Sequence, residues 1–126
     1  MAYRTPRARV SGLGSAKSGT SHWWEQRITS VALVVLTPLF VIPFAYNLGE
    51  GYDRALAAYS HPFNAITAIA FIVTAFLHLY QGLQVVIEDY VHHKRTEIFL
   101  IIGVRLFCAL AALVGVYSVI VIALRA

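Results

Sequence analysis

Three long apolar runs dominate the chain, and polar residues are confined to its first quarter and to two short connections. The first run covers residues 28–48 and carries no charge. The second covers residues 63–88, is uncharged as far as Ile87, and has His78 as its only imidazole. The third covers residues 98–124 and holds Arg105 two turns in. Each reaches the roughly 20 residues that an α-helix rising ~1.5 Å per residue needs to cross a bilayer. A chain this short cannot supply the strands of a closed barrel, so the pattern predicts an all-α integral membrane protein with three transmembrane helices. Pro38 and Pro43 each remove a backbone donor and are expected to kink the first span. The connections are short and polar: Gly49 to His61, followed by Pro62 in a position suited to the first turn of the next helix, and Asp89 to Glu97. The 126 residues read as a single membrane domain preceded by a basic arm, residues 1–24, with a Gly/Ser-rich stretch from Ser11 to Ser21.

Composition narrows the classes. Hydrophobic residues make up 59% and charged residues 13%, which excludes a disordered chain. The net charge of +4 does not indicate nucleic acid, because the basic residues sit at the ends of apolar runs rather than interleaved on one solvated face. One cysteine, Cys108, removes an intrachain disulfide, a four-thiolate zinc site and an iron–sulfur cluster held by this chain alone. Cys108 and the aromatic residues of the third span read as packing. Three spans place the N-terminus and the second connection on one side, with Arg4, Arg7, Arg9, Lys17, Arg27, Lys94, Arg95 and Arg105; the other side has Arg54 and Arg125. Eight basic residues against two put the N-terminus in the cytoplasm or the equivalent matrix. The acid-free arm also suits a transit peptide, but no cleavage-like site separates it from the first span, which favours a plain cytoplasmic arm.

His78 is the first candidate for chemistry, since an ionisable residue inside a span faces a partner, a cavity or a cofactor. Thr74, Gln81, Gly82, Val85 and Asp89 share its helix face at 100° per residue. Gly82, a turn below, lets a flat bulky group approach the backbone. His78 is therefore either a neutral histidine hydrogen-bonded to another helix or an axial haem ligand. Covalent haem is excluded because C-x-x-C-H is missing. His22, His61, His92 and His93 all lie outside the apolar runs, so a six-coordinate haem takes its second ligand from another protein. Asp89 and Tyr90, three turns beyond His78, are either a solvated residue and an interfacial aromatic or a carboxylate beside a phenol that donates to a quinone carbonyl. Trp23, Trp24 and Arg27 form an ordinary interfacial belt, or Arg27 pairs with an anionic group such as a haem propionate. Arg105 has the same two readings.

The stretch His78-Leu-Tyr-Gln-Gly82-Leu-Gln-Val-Val-Ile-Glu-Asp89-Tyr90-Val-His92 resembles the signature of succinate dehydrogenase membrane anchors: a histidine, glycine four residues on, and D-Y after ten intervening residues. The likeness is to the smaller of the two hydrophobic anchors of complex II, a cytochrome b-type chain. Ser21-His-Trp-Trp-Glu-Gln-Arg-Ile-Thr-Ser30 resembles that small anchor's lead-in to its first helix, and the G-L-G-S-A-K-S-G-T arm is similar in style to alphaproteobacterial members. The larger anchor fits less well, since neither an S-x-x-H-R start nor an R-H pair after the histidine is present. The resemblance implies half of a heterodimeric anchor helix bundle within a complex that also contains a flavoprotein and an iron–sulfur protein, in a bacterial inner membrane. It implies that His78 ligates haem b, with the second ligand from the other anchor. Arg27 would lie near a haem propionate, and Gly82 would fall within the haem-binding stretch. It also implies that Tyr90 and Asp89 serve the site where ubiquinone is reduced. A fumarate reductase anchor is the alternative within the family. Outside it stand a haem-free membrane interaction or assembly protein and a transporter-type subunit with His78 in a proton path, the latter without an inverted repeat to support it.

Overall fold

The computed structural model describes residues 5–10 and 19–125, and all of its described elements are helices. A five-residue helix α1 (Pro6–Val10) lies in the arm, and residues 11–18 of the Gly/Ser-rich stretch lie outside the described residues. Four helices follow: α2 (Gly19–Asn47), α3 (Tyr52–Ser60), α4 (Pro62–Tyr90) and α5 (Lys94–Leu124). Of these, α2, α4 and α5 are long and apolar enough to cross a membrane. Each exceeds the ~30 Å hydrocarbon thickness, since 29 residues extend about 43 Å.

The first expected span is extended at its start. Helix α2 begins at Gly19, so the last six residues of the arm are already helical, and it runs through Pro38 and Pro43 without a break. Such prolines are tolerated in membrane helices because neighbouring groups re-satisfy the freed carbonyls. At the C-terminal end the Asn47 side-chain amide donates to the Pro43 carbonyl at 2.7 Å. The first connection also differs from the expected polar loop. Gly49 and Gly51 adopt φ values of 90° and 91°, a left-handed conformation that glycine enters without a Cβ penalty. The nine residues after them fold as α3, with Asp53 in the first turn where the helix dipole favours a carboxylate. His61 alone separates α3 from α4, and Pro62 opens α4 as expected. The Asn64 amide donates to the Ala58 carbonyl at 2.8 Å and closes that corner.

Helix α4 is central: α2 and α5 each pack on it and not on each other, while α3 touches all three. The result is a layer one helix thick, with most side chains of the spans exposed on its two faces. Between helices in a membrane there is little hydrophobic driving force, so close packing and interhelical hydrogen bonds hold the layer together. The α4–α5 seam uses small residues. Ala65 and Ala68 of α4 are buried with Val119 of α5, and Tyr59 of α3 and Phe40 of α2 pack against them. A Cβ built on Gly115 would stand 3.1 Å from Ile72 Cγ2, tighter than ordinary van der Waals contact. On the α2 side, Phe40 stacks on Phe71 with ring centroids 4.5 Å apart. Burial raises the Tyr59 phenol above its ordinary pKa, and its hydroxyl is buried without a partner among the described residues.

The close approach at Gly115 gives a graded expectation. Gly115→Ala should lower the thermal midpoint of the chain in detergent micelles slightly, and Gly115→Leu should separate α5 from α4. Gly103→Ala, which meets nothing within 4 Å, should leave the midpoint unchanged or raise it. Equal midpoints for Gly115→Leu and wild type would contradict this packing.

Candidate functional site

His78 sits on the face of α4 that packs against α2, far along the helix from the aromatic and small-residue cluster at the other end of the layer. Because the two helices are antiparallel, the head of α2 meets the C-terminal half of α4, and polar residues of both converge there. Four side-chain hydrogen bonds cross the seam. His78 Nδ1 lies 2.9 Å from Thr29 Oγ1, and His78 Nε2 lies 3.3 Å from the Gln26 amide nitrogen. Thr29 Oγ1 is 3.3 Å from Gln81 Oε1, and the Gln81 amide donates to Glu25 Oε2 at 3.3 Å. Each such bond between membrane helices is worth roughly 0.6–2 kcal/mol. The alternative, a bare imidazole in hydrocarbon, is far worse. Gln81 is the buried member, 6% exposed.

Both ring nitrogens of His78 therefore have partners within the chain, as the reading of a histidine bonded to another helix expected. The surroundings also bear on the second reading. Gln26 Nε2 is the atom a Cβ on Gly82 would meet, at 3.8 Å. One half-buried amide thus covers both the outer imidazole nitrogen and the glycine face, and its own Oε1 is buried without a partner among the described residues. Turning that single side chain aside would uncover the outer ring nitrogen and a patch of bare backbone together. Nothing else in the described residues touches the Gly82 position within 4 Å.

The remaining candidates are spread over the same end of the layer but are not joined to His78. Asp89 and Tyr90 are exposed at the end of α4, Tyr90 at 79%. Asp89 lies about 16 Å along the helix from His78 and on the same face. No hydrogen bond joins its carboxylate to the Tyr90 hydroxyl among the described residues; the Tyr90 carbonyl instead lies 3.1 Å from His92 Nδ1. Arg27 stacks its guanidinium over Trp23, 5.2 Å from the ring centroid, and has no carboxylate partner among the described residues. It lines a shallow cleft with Trp24, Ile28 and Val31. Arg105 lies over Tyr80 at 5.3 Å, beside an apolar cleft of about 200 Å³ between α4 and α5 that Cys108 also lines. Cys108 itself is 3% exposed, in keeping with a packing role.

Sequence reasoning placed Gln81 on the stripe of His78 but did not find its partners Glu25, Gln26 and Thr29. Their signal is present: residues 25, 26 and 29 share one face at the head of the first run, where a span otherwise carries apolar side chains.

The family model for the succinate dehydrogenase/fumarate reductase transmembrane subunit matches residues 1–122. A succinate dehydrogenase hydrophobic membrane anchor subunit from Paracoccus denitrificans is 41% identical over 90 residues, 71% of this chain and 70% of that protein. The same kind of subunit from Rickettsia bellii is 34% identical over 118 residues, covering 93% and 94% of the two chains. A succinate dehydrogenase membrane anchor subunit from Reclinomonas americana is 33% identical over 92 residues, 71% of this chain and 77% of its own length. No solved structure matches the chain at a significant level. With three apolar helices in a multi-pass arrangement and a family match over nearly its whole length, the chain belongs to the transmembrane subunits of succinate dehydrogenase/fumarate reductase, and the relatives it resembles are succinate dehydrogenase membrane anchors.

Proposed function

We propose that this chain is the smaller anchor of a succinate:ubiquinone oxidoreductase in a bacterial inner membrane, with its N-terminus in the cytoplasm. In this reading it holds the flavoprotein and iron–sulfur subunits at the bilayer together with a second anchor chain. It would supply one ligand of a haem b shared with that second anchor, and part of the site where ubiquinone is reduced. The observation that carries the reading is His78 inside a span, held on Nδ1 by Thr29 and capped on Nε2 by the one Gln26 amide that also covers Gly82.

That donor set fits a haem. His78 would hold the iron through a ring nitrogen, and the bare backbone at Gly82 would admit the edge of a flat macrocycle. Arg27, without a carboxylate partner among the described residues, would face a propionate. When bound, haem supplies a one-electron redox centre within the membrane. His78 keeps its ring orientation through the α2 seam, where Thr29, Gln81 and Glu25 bond to one another in sequence. Further along α4, the exposed Tyr90 phenol is suited to donate a hydrogen bond to a quinone oxygen at the membrane edge. Asp89 would stand near enough to water to pass protons to that edge. The chain has no flavin fingerprint and no cluster ligands, so succinate oxidation belongs to partner subunits.

Two outcomes test this. In a complex purified through this chain, His78→Leu should abolish or shift the b-type band of the reduced-minus-oxidised spectrum, with flavin still present; an unchanged band would remove His78 from the haem. Tyr90→Phe should lower succinate:quinone reductase activity by about 10²-fold or more, while succinate oxidation by an artificial acceptor and the haem band stay at wild-type levels. A fully active Tyr90→Phe enzyme would take the phenol out of the quinone site.

A further inference from the structure

The hydrogen-bond chain that ends on His78 starts at Glu25, and its order fixes where the protons lie. A carboxylate only accepts hydrogen bonds. The Gln81 amide therefore turns its nitrogen toward Glu25 Oε2 and its oxygen toward Thr29. Thr29 Oγ1 then has three oxygens around it: Gln81 Oε1 at 3.3 Å, the Glu25 carbonyl at 3.0 Å and the Gln26 carbonyl at 3.1 Å. All three are acceptors, and a hydroxyl has one proton to give. The fourth neighbour, His78 Nδ1 at 2.9 Å, is the closest of all. The two backbone carbonyls are already met within α2, the Gln26 carbonyl also by the Ser30 hydroxyl at 2.8 Å; were Nδ1 a lone pair, the single O–H would still have to serve both Nδ1 and Gln81 Oε1, leaving one of them unmet. Placing the ring proton on Nδ1 gives the hydroxyl oxygen its donor and leaves the Thr29 proton for the oxygens. Nε2 is then unprotonated, and the Gln26 amide nitrogen at 3.3 Å donates to it.

We propose that Thr29 is a positioning residue for His78: it accepts the Nδ1 proton, and through Gln81 and Glu25 it holds the imidazole in the tautomer whose free lone pair is on Nε2, where the Gln26 amide lies. The tautomer follows from these hydrogen bonds with the Gln26 amide nitrogen facing Nε2. Its consequence for a metal rests on the reading of His78 as an axial ligand. A ligand imidazole that donates its other N–H to a fixed acceptor is oriented and made more basic, and loss of such a partner typically weakens metal binding by about 10–100-fold. Carboxylate, amide and hydroxyl thus form a relay of orientation rather than of protons, since no group in it has to change charge.

The tautomer can be read without any bound group. Full-length chain with ¹⁵N-labelled histidine rings in phospholipid vesicles, measured by solid-state NMR, should show His78 protonated on Nδ1 and bare on Nε2, its signals identified by their loss in His78→Leu. Thr29→Ser, which keeps the hydroxyl, should retain that pattern. Thr29→Val, of nearly equal shape, should move the proton to Nε2 or give a mixture. A wild-type ring protonated on Nε2, or a Thr29→Val ring identical to wild type, overturns the assignment. In the assembled complex, Thr29→Val should release haem about 10–100-fold more readily and raise its midpoint potential, because a less basic imidazole favours the ferrous state. Thr29→Ser should restore both. Unaltered retention and potential in Thr29→Val overturn the positioning role. A wild-type complex without haem would instead contradict the ligand reading of His78, and the vesicle spectra would still decide the role of Thr29.

Discussion

An imidazole halfway along a membrane span must find its hydrogen-bond partners in the protein, and the rest of this layer is arranged around that demand. His78 obtains them from the head of α2, which sets the register of α2 against α4 and requires the polar face at residues 25, 26 and 29. That register then brings Phe40 onto Phe71 and the end of α2 onto α3 at the opposite edge. The same helix pair is therefore tied by polar contacts at one end and by aromatic stacking at the other. Such a seam resists sliding better than a uniformly apolar one, because a shift of one turn would leave several buried polar atoms unmet.

The α4–α5 seam works by a different means. Among the described residues it has no comparable polar network, and small side chains let the backbones approach, with Gly115 against Ile72 and alanines beside Val119. With α4 in the middle and α2 and α5 apart, both faces of the layer remain largely open outside the end that α3 covers. A chain of this shape buries little of itself, and membership in a family of membrane anchor subunits accounts for that: the surfaces left open are those available to lipid and to other subunits.

Much of this was legible from the residues. The three spans announced themselves by length and by the absence of charge, and His78 by being the exception within one of them. Pro62 marked the start of α4 because its missing N–H is harmless there. Three features were not legible. Helix α3 is nine residues long and sets Asp53 and Arg54 beside alanines, too short a pattern to distinguish from a loop. The early start of α2 was hidden because Ser21 to Arg27 look like an interfacial anchor, which they also are. The partners of His78 were hidden for a deeper reason. A helical wheel shows which residues share a face of one helix, but which face of another helix opposes it is a property of packing. Glu25, Gln26 and Thr29 could be seen as a polar face; that it meets Gln81 and His78 could not.

In the proposed role His78 would be one of two ligands of a haem whose other ligand belongs to a different chain. The most direct measurement is magnetic circular dichroism, with low-temperature electron paramagnetic resonance, on the oxidised complex purified through this chain. A low-spin, six-coordinate haem is the expected result, since two strong-field ligands are required and this chain's only imidazole within an apolar run is His78. A high-spin, five-coordinate haem, or a complex with flavin and no haem, would contradict the claim and leave His78 as the hydrogen-bonded post that joins α4 to α2.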